Sequence, residues 1–194
     1  VSESVDGTSS VIKILPAFWQ IEGIGDFNGD GKADILWNNT ARVYDTDRDR
    51  AKIGMWLMDS AKAVTTGGIS DQGNSKLLIL PSNQWIFKGG GDFDGDGKTD
   101  IVYQESTNVY PRRVAVWLMD GRVRKSRAFI DSDSDPGEGT WRIRDIGDYN
   151  GDGKADIISQ NISSGDVATW FMKGAAIDSA GFVEKGVPKT LRIK

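Results

Sequence analysis

GDFNGDGKAD, residues 25–34, returns as GDFDGDGKTD at 91–100 and as GDYNGDGKAD at 147–156. The copies begin 66 and 56 residues apart, so one unit is repeated and must be read as such before any single stretch. Six residues before each opening glycine stands a tryptophan: Trp19, Trp85 and Trp141. Directly after each copy comes a short apolar run, ILW, IVY or IIS. A second tryptophan follows further on: Trp56 in IGMWLMDS, Trp117 in VAVWLMDG and Trp170 in VATWFMKG.

The residues around the second tryptophans keep step. Ile53, Val114 and Val167 lie three before it, and Met58, Met119 and Met172 lie two after. Such alternation predicts a strand, and the Asp-Ser, Asp-Gly and Lys-Gly pairs that follow predict tight hairpin turns. KLLIL (76–80), SRAFI (126–130) and GFVEK (181–185) then fill the place of a last strand. Each repeat is therefore four short strands with the acidic loop between the first two, which is one blade of a β-propeller. The fold class expected is all-β. Blades are expected at 16–80, 81–135 and 136–187, after a flexible segment at 1–10 and a partial outer strand at 11–15 (VIKIL). A partial inner strand is expected at 188–194, where TLRIK resembles a first strand. Propellers close with about four to eight blades. Three blades therefore imply either a piece of a longer protein or self-association through open edges, with two chains giving six blades.

The loops have a chemistry of their own. Asp26, Asn28, Asp30 and Asp34 occupy positions 1, 3, 5 and 9, and the Lys32 carbonyl turns inward at position 7. Asp92, Asp94, Asp96, Lys98 and Asp100 repeat the set, as do Asp148, Asn150, Asp152, Lys154 and Asp156. The glycines between them permit the positive φ that a tight wrap needs. Five oxygen donors plus water suit calcium, which takes six to eight hard ligands at roughly 2.3–2.6 Å; magnesium's strict octahedron fits less well. Three calcium ions are therefore expected. The second site, with four carboxylates, should be the tightest if geometry is equal. An EF-hand would need a bidentate Glu at position 12 and flanking helices, but position 12 is Trp37, Tyr103 or Ser159 and a β-rich run follows. Phe27, Phe93 and Tyr149 are expected to turn from the ion and anchor each loop in its blade.

The pattern W-x-I-x-x-x-GDFNGDGKxDILW…VxxWLMDG resembles the FG-GAP/VCBS repeats, the integrin-α-like blades of bacterial surface and secreted proteins. The resemblance spans residues 11–194. It implies calcium on one face of a propeller and ligand recognition at loops or blade interfaces. The family's customary count is seven repeats, against three here.

Composition narrows the function classes. The formal charge is −4, yet ten carboxylates sit in the three loops, and three divalent ions would bring the total to +2. The acidity thus reports metal binding. No cysteine or histidine is present, which removes disulfides, thiolate chemistry and the usual general base at neutral pH. No apolar run approaches the roughly 18 residues of a membrane span. Nucleic acid is not an expected partner, and GRVRKSR (121–127) reads as a solvated strand edge. VSESVDGTSS at the start has neither a basic patch nor an apolar stretch, so a signal peptide is not expected within this sequence.

Six of the seven tryptophans are in register and are expected in the blade cores. Trp37, with Tyr103 at the equivalent position, is expected to pack between blades, with a ligand platform as the alternative. Tyr44, Arg48 and Arg50, and Tyr110, Arg112 and Arg113, lie in the long segments between strands two and three and are further recognition candidates. DSDSDPGEG (131–139) lacks the glycine spacing of a cation loop and is expected to be a flexible connection. The expected function is a non-catalytic, calcium-stabilised module that recognises a glycan or protein outside the cell or at its surface. An accessory repeat region of a secreted enzyme is the alternative. A polysaccharide-acting enzyme ranks last, because the ordered carboxylates are already committed to metal.

Overall fold

The computed structural model describes residues 18–39, 53–72, 74–77, 85–106, 113–130 and 141–188. These form fourteen strands in three sheets, with no helix among the described residues. The first sheet is β1 (Trp19–Gly25), β2 (Asp34–Asn39), β3 (Ile53–Asp59) and β4 (Lys62–Gly68). The second contains β5 (Ser70–Asp71), β6 (Asn74–Leu77), β7 (Trp85–Gly91), β8 (Asp100–Glu105), β9 (Val114–Asp120) and β10 (Val123–Ile130). The third is β11 (Trp141–Gly147), β12 (Asp156–Asn161), β13 (Val167–Lys173) and β14 (Ala176–Glu184). Four consecutive antiparallel strands make up the body of each sheet. The first strands β1, β7 and β11 lie side by side.

Local chemistry explains the meander. Ser60, Gly121 and Gly174, the first residues of the two-residue hairpins before β4, β10 and β14, all have positive φ, which matches the twist of antiparallel strands. Pairing across strands two and three sets large against small in the first two sheets, Trp37 opposite Gly54 and Tyr103 opposite Ala115, whereas the third pairs two small residues, Ser159 and Ala168. Each first strand carries a bulge at the same place, so Glu22, Lys88 and Arg144 are extra residues in the ladder.

Two cores result from strict alternation. On β9, Ala115, Trp117 and Met119 pack toward the first sheet with Phe27, Leu36, Met55 and Ile101. Val114 and Val116 face the other way, into a cluster with Phe93, Trp141, Ile157, Trp170 and Met172. Each such side chain taken from water contributes roughly 1.5–3 kcal/mol, so the middle sheet is held on both faces.

Four expectations need correction. The last strand of the first repeat is β4, directly after the hairpin, and not KLLIL. The part of KLLIL that is described belongs to β6, which joins the outer edge of the second sheet through β5. Residues 70–77 thus leave the first blade as bounded above, because Ser70 and Gln72 donate their N–H groups to the Arg122 and Arg124 carbonyls. GRVRKSR is not a solvated edge either. Arg124 is buried over the Trp117 ring and paired with Asp71, and Arg122 donates to the Thr66 carbonyl. The second tryptophans are all buried, but of the first set only Trp141 is, since Trp19 and Trp85 stay partly exposed. Finally, Tyr149 is largely exposed, unlike Phe27 and Phe93. The partial strands read at 11–15 and 190–194 lie outside the described residues. So do Tyr44, Arg48, Arg50, Tyr110, Arg112 and the stretch 131–139.

Candidate functional site

The three acidic loops, joining β1 to β2, β7 to β8 and β11 to β12, wrap in the same way. Gly29 and Gly31, Gly95 and Gly97, and Gly151 and Gly153 all have φ between 77° and 84°. That left-handed conformation turns successive N–H groups inward. Asp26 accepts them from Gly29 (2.7 Å), Asp30 (3.1 Å) and Gly31 (2.7 Å). Asp92 accepts from Gly95, Asp96 and Gly97, and Asp148 from Gly151, Asp152 and Gly153. Positions 3 and 5 continue the pattern: Asn28 and Asp30, Asp94 and Asp96, and Asn150 and Asp152 each accept the N–H two residues on.

Position 9 has a second duty. Asp34, Asp100 and Asp156 are buried, and each takes one N–H from its own loop and one from strand three. For Asp100 these come from Phe93 at 2.9 Å and Met119 at 2.8 Å; Asp34 uses Phe27 and Met58, and Asp156 uses Tyr149 and Met172. One carboxylate thus ties the loop to the third strand of its sheet.

In the second loop a carboxylate oxygen from each of Asp92, Asp94 and Asp100 lies within 4.8 Å of the others. An ion with bonds of roughly 2.3–2.6 Å spans oxygens up to about 5 Å apart, so this cluster could hold a divalent cation. Its electrostatics point the same way. Burial, with the charges of Asp94 and Asp96 adding to it, pushes the Asp100 carboxyl up to about 7. Burial also raises Asp34. Loops one and three place an asparagine at position 3, and the rest of the wrap is unchanged.

One residue escaped the sequence reading. Lys125 on β10 reaches the second loop, with its Nζ 2.7 Å from Asp96 and 3.2 Å from Asp94. Hydrogen bonding to Asp96 and Asp94 holds this ammonium above its ordinary range. The second loop therefore shares its wrap with the other two but holds an ammonium against two of its carboxylates, so four carboxylates do not by themselves make it the tightest site. Only the strand pairing of β9 and β10 places Lys125 there.

The recognition candidates separate. Tyr103 is buried; its hydroxyl donates to Glu22 at 3.1 Å and its ring packs on Phe87 and Trp117, so it offers no face to a ligand. Glu22, which the sequence reading passed over, also accepts from Asn38, and burial raises its carboxyl. Arg113 is committed to Glu105 and lies over the Phe129 ring. Trp37 packs against Trp56 with ring centroids 4.8 Å apart and planes tilted by 52°, and stays half-buried, with its Nε1 unpartnered among the described residues. Among the described residues no helix is long and apolar enough to cross a membrane.

Two family models match the chain, the FG-GAP-like repeat over residues 92–159 and the FG-GAP repeat over residues 18–48. Comparison with curated proteins and with solved structures finds no match. The matched stretches include the ligand positions of all three acidic loops, the strand after each, and the strands before the first and third loops, β1 and β11. With one loop geometry repeated through three sheets, and with both models drawn from the same family, the chain belongs to the FG-GAP repeat family.

Proposed function

We propose that each loop binds one calcium ion and that the chain is a calcium-braced set of β-propeller blades. Its role is non-catalytic: recognition of a glycan or a protein outside the cell or at its surface. FG-GAP repeats occur in integrin-like adhesion and recognition modules, and the side-by-side first strands suit blades arranged around an axis. The single observation that carries the metal assignment is the common wrap of the loops, with its convergent oxygens in the second. Asp26, Asn28, Asp30, Lys32 and Asp34 would supply the first ion. Asp92, Asp94, Asp96, Lys98 and Asp100 would supply the second, and Asp148, Asn150, Asp152, Lys154 and Asp156 the third. Millimolar extracellular calcium would fill even weak sites of this type.

Calorimetric titration of chelator-stripped protein tests the assignment: three calcium ions per chain are expected, and a flat titration removes it. A glycan array run with calcium and again with chelator tests recognition. Binding that needs calcium supports the reading. No binding on the array or to candidate proteins would leave the accessory-region alternative. Within the same titration, Lys125→Ala is expected to tighten the second site about threefold to tenfold, the size of one or two partly exposed charge pairs. Unchanged affinity would mean that the ammonium does not compete with the ion.

A further inference from the structure

The extra residue in each first strand is Glu22, Lys88 or Arg144, and in the first and third sheets it meets an amide side chain on strand two. Asn38 donates to Glu22 at 3.2 Å, and Arg144 donates to the Gln160 Oε1 at 3.0 Å. In the second sheet the amide at that position is Gln104, and it turns to the neighbouring strand β11 instead. Its Nε2 donates to the Trp141 carbonyl at 2.9 Å, and its Oε1 accepts from the Ile143 N–H at 3.3 Å. Lys88 therefore lacks the partner that its counterparts keep.

A second partner is missing as well. Glu22 of the first sheet also accepts from the Tyr103 hydroxyl of the second. The third sheet has Ser159 at the place of Tyr103, and its short side chain donates to the Ala168 carbonyl. The Lys88 ammonium thus has no hydrogen bond or ion pair among the described residues, although its side chain is only partly exposed. Its charged neighbours are Arg142 and Arg144 of β11. Burial, together with those two charges, holds the ammonium below its ordinary range. Nearby carboxylates are committed elsewhere: Glu22 to Asn38 and Tyr103, and Asp145 to the Ile146 N–H and the Tyr149 hydroxyl. Next to Arg144, the Gln160 amide is 2% exposed, and its Nε2 has no acceptor among the described residues. Cations and donors gather between β7 and β11, and no carboxylate answers Lys88 among the described residues. A part-buried ammonium among like charges costs stability until an anion neutralises it.

We propose that Lys88, Arg142 and Arg144 form a binding site for an oxyanion, the sulfate or carboxylate group of an acidic sugar. The site rests on the recognition reading above and gives its ligand a chemistry. Guanidinium forks on β11 suit the paired oxygens of either group, and the ammonium adds a point charge from β7. Three local cations in a chain of formal charge −4 do not make the extended basic track that a nucleic acid needs. None of the acidic-loop residues takes part, so the site does not depend on which ion the loops hold.

Amide chemical-shift titration of the full chain tests this, with sodium sulfate and separately with sodium acetate, in calcium buffer at constant ionic strength. Shifts that saturate and centre on Lys88, Arg142 and Arg144 are expected. Lys88→Met keeps the stem and drops the charge, and should weaken binding about tenfold to a hundredfold, the size of one charged hydrogen bond. Arg144→Gln, at an exposed position, should weaken it about threefold to fivefold, and it decides the matter if Lys88→Met fails to fold. Lys62→Gln, which removes an exposed charge on β4, should bind as wild type. Sulfated and uronate oligosaccharides, with a neutral one as control, then distinguish the two carriers of the anion. Absence of saturable binding by either salt overturns the proposal. So does wild-type affinity in both Lys88→Met and Arg144→Gln, or an equal loss in Lys62→Gln. Oligosaccharide binding indifferent to Lys88→Met overturns this site and leaves recognition standing. Anions that bind through Lys88 while no oligosaccharide does overturn the sugar as carrier, together with the glycan reading.

Discussion

Removing calcium from the loaded protein is expected to lower its melting temperature by about 15–30 °C. The size follows from mass action: an ion present at a hundredfold its dissociation constant stabilises the native state by roughly 2.7 kcal/mol, and three such sites give roughly 8 kcal/mol. That matches the whole net stability of an ordinary domain, about 5–15 kcal/mol. In a chain of this length each kcal/mol moves the transition by about 2–4 °C. The structure gives the loss a location. Asp92, Asp94 and Asp100 point oxygens at one small volume, and the loop that carries them also holds the second sheet against the third. With no cysteine in the chain, no disulfide can substitute. Scanning calorimetry with calcium and with chelator measures the difference. Equal transitions would remove calcium from the account of stability.

The second large effect is expected at Asp100. Asp100→Ala deprives two buried N–H groups, those of Phe93 and Met119, of their acceptor. At about 1–3 kcal/mol for each unsatisfied group, the loss is about 2–6 kcal/mol besides the missing metal ligand. Chemical denaturation in chelator isolates the loop tie from the ion. Stability equal to wild type there would mean that Asp100 serves the metal alone. The same carboxyl predicts a pH dependence. Its folded value of about 7 lies above the ordinary 3.8, so the native state holds a proton that the unfolded chain has released. Stability from this group is therefore fully present below the ordinary value and is lost as pH rises through about 7. Calcium-free wild type should melt higher at about pH 5.5 than at about pH 8. Calcium must displace that proton, so its stabilising effect should shrink over the same descent in pH. Asp100→Asn should flatten the first trend, and an unaltered slope in that variant would assign the trend to other groups.

Much of this was legible in the sequence because the repeat carries its own controls. Three aligned tryptophans place strand three, and three Asp-Ser, Asp-Gly or Lys-Gly pairs place the hairpin after it. The glycines at loop positions 4 and 6 announce the left-handed turns found at Gly29, Gly31 and their counterparts. What stayed hidden depends on a neighbour. Phe27, Phe93 and Tyr149 look alike in sequence, yet among the described residues only the first two have a following sheet to enter. GRVRKSR looks solvated until β5 runs beside β10 and Asp71 meets Arg124. Lys125 enters the second loop only across the β9–β10 hairpin, and Tyr103 reads as a platform until Glu22 from the preceding sheet takes its hydroxyl. Local pattern reports the element a residue belongs to, whereas its partners are set by how sheets stack.

The Asp26 carbonyl meets the amide of Thr99, and Thr99 is bonded directly to Asp100. The Asp92 carbonyl meets the amide of Ala155, which is bonded directly to Asp156. The first residue of one acidic turn is therefore linked through a single backbone hydrogen bond to the neighbour of the buried carboxylate that closes the next. A titration of the proposed sites is expected to show filling of one turn easing the filling of the next, and equal, uncoupled steps would mean that the backbone bond carries no such coupling.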